Sequence, residues 1–146
     1  MKKGIVKNIS SKKLNDLYEK TLDNCSENEL IKIIKKSYVR FTNKDNDQKD
    51  EALTLIANAL ERTKTLAKGD KKSSIKKIIN NISEEEKILD DINDLILKIT
   101  KISNNYKIRH FETNKMEIKS NEIKFFLYYN YLNIINLLLN HFNLGL

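Results

Sequence analysis

The stretch from Ser26 to Phe41, SENELIKIIKKSYVRF, decides the fold class of this chain. Ser26 followed three residues later by Glu29 has the pattern of a capping box, in which both side chains accept hydrogen bonds from backbone N–H groups where a helix begins. Apolar residues then recur at spacings of three and four, which places them on one face of a helix. They are Leu30, Ile33, Ile34, Tyr38 and Phe41. The stretch predicts an amphipathic helix that ends near Phe41.

The same periodicity extends over the rest of the chain. No proline occurs among the 146 residues, only three are glycine, and no strand runs with hairpin turns are visible. We therefore predict an all-α protein, a single antiparallel bundle of about four long helices plus one or two short ones, forming one domain over residues 1–146. The other helices are expected at about 11–22, 47–68, 74–81, 83–103 and 120–142.

Three further signals mark helix ends. Gly69 is expected to end the third helix, because glycine accepts the left-handed conformation that often follows a last turn. Ser83 to Glu86 forms a second capping box. Ser120 is a plausible N-cap for the last helix. The apolar positions of the first and third helices predict these core residues: Leu14, Leu17, Tyr18, Leu53, Ile56, Ala57, Leu60 and Leu66.

The charge of the chain points to an anionic partner. Its net charge is +7 and its pI is about 9.3, and the charge is segregated along the sequence. Residues 62–77 hold seven basic residues against Asp70, whereas residues 84–94 hold six acids against Lys87. Nucleic acid is one partner that fits. Ordinary solvent-exposed helix faces explain the same runs, so both interpretations stay open.

Composition also sets aside several other classes of function. Cys25 is the single cysteine, so neither a disulfide framework nor a multi-cysteine metal site is expected, and a cytoplasmic location fits. No metal and no cofactor is predicted. The stretch from Ile123 to Phe142 is apolar and long enough to span a bilayer, but four asparagines lie along one of its faces. We therefore expect no membrane partner. The asparagines are Asn130, Asn133, Asn136 and Asn140.

The candidate functional site is a polar loop between the last two predicted long helices. Residues 104–115 read NNYKIRHFETNK and include Arg109 beside His110. The planar guanidinium of arginine binds phosphate through two hydrogen bonds, and histidine is a general acid or base near neutral pH. The pair fits RNA cleavage without a metal, simple phosphate binding, or an ordinary loop in which Arg109 pairs with Glu112.

The order of elements resembles that of the HEPN superfamily, in particular the C-terminal domains of abortive-infection proteins. The resemblance covers residues 50–142 and is carried by a helix with Ala59-Leu60-Glu61, then residues 71–75, a further helix, and residues 105–110. The relation of residues 1–45 to that family is open. Members are helical bundles that dimerise across their last two long helices. Active members are metal-independent endoribonucleases with a histidine five to seven positions after an arginine.

This resemblance implies a function in RNA or nucleotide binding, in phage defence or a toxin–antitoxin type of stress system. Arg109 matches the family's arginine and His110 the polar position after it, but Asn114, Lys115 and Met116 stand where the later histidine is expected. The alternatives are an endoribonuclease that uses Arg109 and His110, and a non-catalytic module that binds another protein. A homodimer is expected. The phosphate- and RNA-binding residues are predicted to be Tyr106, Lys107, Arg109, Phe111 and Lys115.

Overall fold

The computed structural model describes residues 2–66, 86–105 and 117–144. Over these ranges the chain forms α-helices joined by turns and short extended segments, and no strand is present in them. The predicted all-α fold is confirmed, because the helices pack against each other as a bundle. They are α1 (Lys2–Asp23), α2 (Asn28–Phe41), α3 (Asn46–Thr65), α4 (Glu86–Asn105) and α5 (Asn121–Leu144).

The N-cap of α2 lies one residue after the position predicted from the capping box. The N-cap is Glu27 instead of Ser26, and its carboxylate accepts hydrogen bonds from the backbone N–H groups of Glu29 at 3.2 Å and Leu30 at 2.9 Å. A carboxylate has two oxygens, one for each of these hydrogen bonds, whereas a serine hydroxyl has only one. The carboxylate also carries the negative charge that the positive end of a helix favours.

Other helix ends agree in part with the prediction. Ser120 is confirmed as the cap of α5, since its hydroxyl accepts a hydrogen bond from the backbone N–H of Ile123 at 3.3 Å. α1 begins at Lys2, well before the expected residue 11, and α3 ends at Thr65 instead of continuing to residue 68. Gly69, the short helix at 74–81 and Ser83 lie outside the described residues.

The core is centred on α5, which packs on α1 and α3. Tyr128, Tyr131, Leu132 and Ile135 of α5 are fully buried, and Ala52, Ala57 and Ala59 of α3 are among the small residues that let neighbouring helices approach closely. α2 packs along α3 over most of its length. Of the predicted core positions, these are buried: Leu14, Leu17, Leu30, Ile34, Phe41, Leu53, Ile56, Ala57 and Leu60.

The inner face of α2 differs from the prediction at three positions. Ile33 and Tyr38 are only partly buried, and Ser37 is fully buried. Ser37 is tolerated there because its hydroxyl bonds the backbone oxygen of Ile34 at 2.7 Å and the hydroxyl of Tyr128 at 2.8 Å. Tyr38 instead stacks on Tyr18 of α1, with ring centroids 3.9 Å apart. Tyr18 and Leu66, also predicted as core, are partly buried as well.

Long side chains of α3 and α5 reach α4 and form hydrogen bonds with it. Ser103 bonds the hydroxyl of Tyr131 on α5, and Thr100 accepts a hydrogen bond from Lys64 of α3 at 2.5 Å. Lys64 is also paired with Glu61 at 2.9 Å and is almost fully buried. Within the described ranges, no helix is long and apolar enough to cross a membrane.

Candidate functional site

The sequence-predicted site falls outside the part of the chain that the structure describes. Its residues Tyr106, Lys107, Arg109, His110, Phe111 and Lys115 all lie between the end of α4 at Asn105 and the segment that begins at Glu117. No geometry can be assigned to them, and their roles stay predictions. The described residues form a different cationic surface, on α2.

Positive charge is concentrated in the first two helices. Residues 2–41 hold ten basic and five acidic residues, a net charge of +5. The remaining described residues, 42–66, 86–105 and 117–144, hold nine basic and eleven acidic residues, a net charge of −2. The sequence of α1 and α2 is therefore basic, and that of the other described segments is slightly acidic.

The outer side of α2 carries a lysine ridge, which we define as Lys32, Lys35 and Lys36. All three are exposed, because the opposite side of the helix is buried against α3 and α5. Lys32 is 3.4 Å from Glu29 in a highly exposed pair. Lys35 and Lys36 form no ion pair with any described residue, so their charges face solvent. Val39 lies on the same side and is 67% exposed.

The ridge ends in an open groove of about 430 Å³, the α2 groove. Its lining comes from α2 and from the first turn of α3. Cations, one apolar side chain and one amide make up this lining, and the groove is open to solvent. The lining residues are Lys35, Lys36, Val39, Arg40 and Gln48.

Arg40 is held at the groove by two residues of α3. Its Nη1 donates to Gln48 Oε1 at 3.1 Å and to Glu51 Oε2 at 2.5 Å. Both bonds use the same nitrogen, so Nη2 and Nε have no partner among the described residues. The guanidinium is thereby oriented while two of its donor nitrogens remain able to bind an anion.

The opposite end of the α2–α3 pair carries a second arginine–glutamate pair. Arg62 donates from Nε to Glu27 Oε2 and from Nη2 to Glu27 Oε1, both at 2.8 Å. This hydrogen-bonded pairing with Arg62, together with the backbone N–H groups of Leu30 and Glu29, lowers the pKa of Glu27 to about 2. Partial desolvation opposes the shift. The pair joins the start of α2 to the last turn of α3 and uses two guanidinium nitrogens and both carboxylate oxygens, while the Arg62 side chain is 43% exposed.

Cys25 and the remaining buried charges have structural surroundings. Burial raises the pKa of the Cys25 thiol, whose sulfur lies 3.7 Å from the backbone oxygen of Glu27. A thiol in such surroundings is a poor nucleophile. Lys124 of α5 is buried and paired with Asp50 of α3 at 2.8 Å. No group of three or more described His, Cys, Asp or Glu side chains is arranged to hold a metal ion.

The last two helices expose apolar side chains. Ile88 and Leu95 are seven residues apart on α4, in line with partly buried Ile102, and Ile123 and Phe126 are three apart on α5. Leu95 is 60% exposed and Phe126 is 63% exposed. Of the asparagines that follow on α5, Asn136 accepts a hydrogen bond from Asn24 at 2.9 Å, and Asn133 and Asn140 are exposed.

Comparison with protein-family models, curated proteins and solved structures finds no significant match for this chain. The HEPN resemblance therefore rests on the sequence itself. The α2 groove was not among the sites predicted from the sequence, although a signal for it is present there. Basic residues at 32, 35, 36 and 40 recur every three or four positions, the spacing that lines them up on one helix face.

Proposed function

We propose that this protein is an RNA-binding helical module whose described binding surface is the lysine ridge and the α2 groove. The observation that carries the proposal is the grouping of Lys35 and Lys36 beside Arg40 in one open groove, where neither lysine has an ion-pair partner among the described residues. Phosphate neutralisation by lysine and arginine supplies most of the affinity of proteins for nucleic acid. None of the described lining residues is aromatic, so binding at the groove is expected to depend on the nucleic acid backbone and not on base identity.

The predicted loop is a second contact in this proposal. Lys107, Arg109 and Lys115 would bind further phosphates, and Tyr106 or Phe111 would stack on a base. On the HEPN resemblance, the protein acts in the cytoplasm in phage defence or a toxin–antitoxin type of system. The catalytic form of the proposal assigns metal-independent RNA cleavage to Arg109 and His110. Cleavage that persists in EDTA and disappears in Arg109→Ala and His110→Ala would support it, and intact RNA under all conditions would contradict it.

The binding experiment compares two pairs of adjacent lysines. Lys35→Gln with Lys36→Gln removes two charges from the ridge, and Lys12→Gln with Lys13→Gln removes two exposed charges from α1. We expect the ridge variant to bind a single-stranded RNA oligomer about tenfold or more weakly at 0.1 M salt. It should also reduce the slope of log affinity against log salt by about 1.4, because each phosphate contact contributes about 0.7 for single strands.

The α1 variant is expected to lose much less affinity. Equal losses in both variants would show that only diffuse charge is involved and would contradict the proposed surface. Circular dichroism and an unfolding curve check that both variants are folded. Substitutions on exposed positions of this kind change the free energy of unfolding by less than about 0.5 kcal/mol.

A second candidate function, binding to another protein, is favoured by the exposed apolar residues of α4 and α5. We propose a second copy of the chain as the partner, in a homodimer that buries Leu95 and Phe126. Sedimentation equilibrium tests this: Leu95→Glu with Phe126→Glu should give a monomer, whereas Leu97→Glu, a charge on another side of α4, should not. A wild-type monomer at all concentrations would contradict it.

A further inference from the structure

We infer that the α2 groove, which includes Lys35 and Lys36 of the lysine ridge, binds a terminal phosphate, the phosphomonoester at the end of a nucleic acid strand, and that Lys32, the ridge residue outside the groove, faces the next internal phosphate. This inference rests on the proposed function and assigns a ligand class to one part of its surface. Its first support is the position of the groove. The basic residues run along α2 from Lys32 to Arg40, about 12 Å at 1.5 Å per residue, and end at the first turn of α3.

The second support is the balance of charge in the groove. Lys35, Lys36 and Arg40 contribute three positive charges, and Glu51 contributes one negative charge through its 2.5 Å bond to Arg40. The local net charge is therefore +2. A phosphomonoester carries a charge of about −1.5 to −2 at pH 7, whereas an internal diester carries one negative charge. The groove is thus matched in charge to a strand end or to a free nucleotide.

The third support is the geometry of the donors. Nη2 and Nε of Arg40 form one edge of the guanidinium, and that edge has no partner among the described residues. Gln48 adds a side-chain amide nitrogen at the same place, because its oxygen already accepts a hydrogen bond from Arg40. A phosphomonoester has three terminal oxygens for such donors, and an internal diester phosphate has only two. The donors of Arg40 and Gln48 would bind this additional oxygen.

The test uses one RNA sequence in three forms: with a 5′ phosphate, with a 3′ phosphate, and with hydroxyl groups at both ends. We expect one or both phosphorylated forms to bind about fivefold more tightly at 0.1 M salt than the hydroxyl form, since one additional ionic contact has that value. The preference should fall between pH 7.5 and pH 5.5, as the phosphomonoester takes up a proton. The described lining residues include no histidine, so their own charge is not expected to change over that range.

Variants separate this inference from the proposed function. Arg40→Gln should abolish the preference for a phosphorylated end and still bind the hydroxyl form. Glu51→Gln, which raises the local charge to +3, should increase affinity for the phosphorylated form more than Asp47→Asn, which removes the same charge from the first turn of α3. Adenosine monophosphate and inorganic phosphate are then tested as competitors of the phosphorylated RNA. Displacement by either one would show that the groove binds a phosphate without the rest of the strand.

Two results have distinct meanings. If all three RNA forms bind equally, and Lys35→Gln with Lys36→Gln still weakens them, the terminal-phosphate inference is wrong and the proposed function stands. If no form binds with an affinity that depends on Lys35 and Lys36, the proposed function itself is wrong.

Discussion

The two ends of the α2–α3 pair are closed by the same kinds of residue in different ways. At one end the Glu27 carboxylate bonds two nitrogens of Arg62 and two backbone N–H groups. At the other end a single nitrogen of Arg40 serves both Gln48 and Glu51. The first arrangement uses the charged groups to hold the fold. The second orients a guanidinium through one nitrogen, so the number of guanidinium nitrogens in use, two in Arg62 and one in Arg40, separates a structural pair from a candidate binding residue.

The largest expected difference between the two ends is in the free energy of unfolding, after the carboxylate of Glu27 or of Glu51 is removed. Glu27→Ala should lower the free energy of unfolding by about 2 kcal/mol, because it removes an N-cap and leaves Arg62 without its partner. Glu51→Ala should change it by less than about 0.5 kcal/mol, the usual range for an exposed pair. Urea unfolding curves measure both. Equal losses would contradict the distinction between the two ends.

The pH dependence of stability sharpens the same comparison. The folded-state pKa of Glu27 is about 2, below its ordinary value of 4.5, so its contribution is present above pH 4.5 and is lost as the pH falls towards 2. We expect wild-type stability to fall through this window by about 1 kcal/mol more than that of Glu27→Gln, after allowance for solvent screening. Thermal unfolding at pH 6, 4.5 and 3 provides the measurement, and parallel curves for the two proteins would contradict it.

Exchanging arginine for lysine has a smaller expected effect. Lysine cannot reproduce the two parallel bonds that Arg62 makes with Glu27. Arg62→Lys should therefore lower the unfolding midpoint, whereas Arg40→Lys, which replaces a group bonded through one nitrogen, should change it less. Differential scanning calorimetry of the two variants distinguishes them. A larger shift for Arg40→Lys would reverse the assignment of roles.

The smallest effect is expected in RNA binding at the structural end. Arg62→Gln should change the affinity for single-stranded RNA by less than about twofold, because Nε and Nη2 of Arg62 are both bonded to Glu27 and Arg62 does not line the α2 groove, so little salt-dependent phosphate contact is lost. Arg40→Gln removes the same charge and should weaken binding of a phosphorylated strand about fivefold. Fluorescence anisotropy on both variants gives the ratio. Equal losses would mean that the affinity responds to net charge alone.

The sequence predicted the fold class well because helix periodicity is a local property. Apolar residues three and four apart placed Leu30, Ile34 and Phe41 correctly on the inner face of α2. It failed at Ser37, whose burial depends on a hydroxyl of Tyr128 that is 91 residues away. It also failed at the cap, since the choice of Glu27 over Ser26 is favoured by Arg62, a residue of another helix.

The candidate site was predicted less well, for a related reason. The search for rare residues led to Arg109 and His110, which lie outside the described residues. Lys35 and Lys36 are common residue types in a chain with 27 lysines and arginines, so nothing in the local sequence distinguishes them. What distinguishes them is the closeness of Arg40 and Gln48, which line the same groove. This property depends on the packing of α2 against α3.

The serine–tyrosine pairs of the core have a consequence for how the helices find their alignment. Helix faces of leucine and isoleucine tolerate rearrangement as long as the total volume is kept. They therefore favour packing of two helices without fixing their register along the helix axis. Ser37 with Tyr128, and Ser103 with Tyr131, are different, because a shift of one turn, about 5.4 Å, would leave buried hydroxyls unpaired. The apolar residues thus hold the helices together, and the two serine–tyrosine hydrogen bonds fix the register of one helix against another.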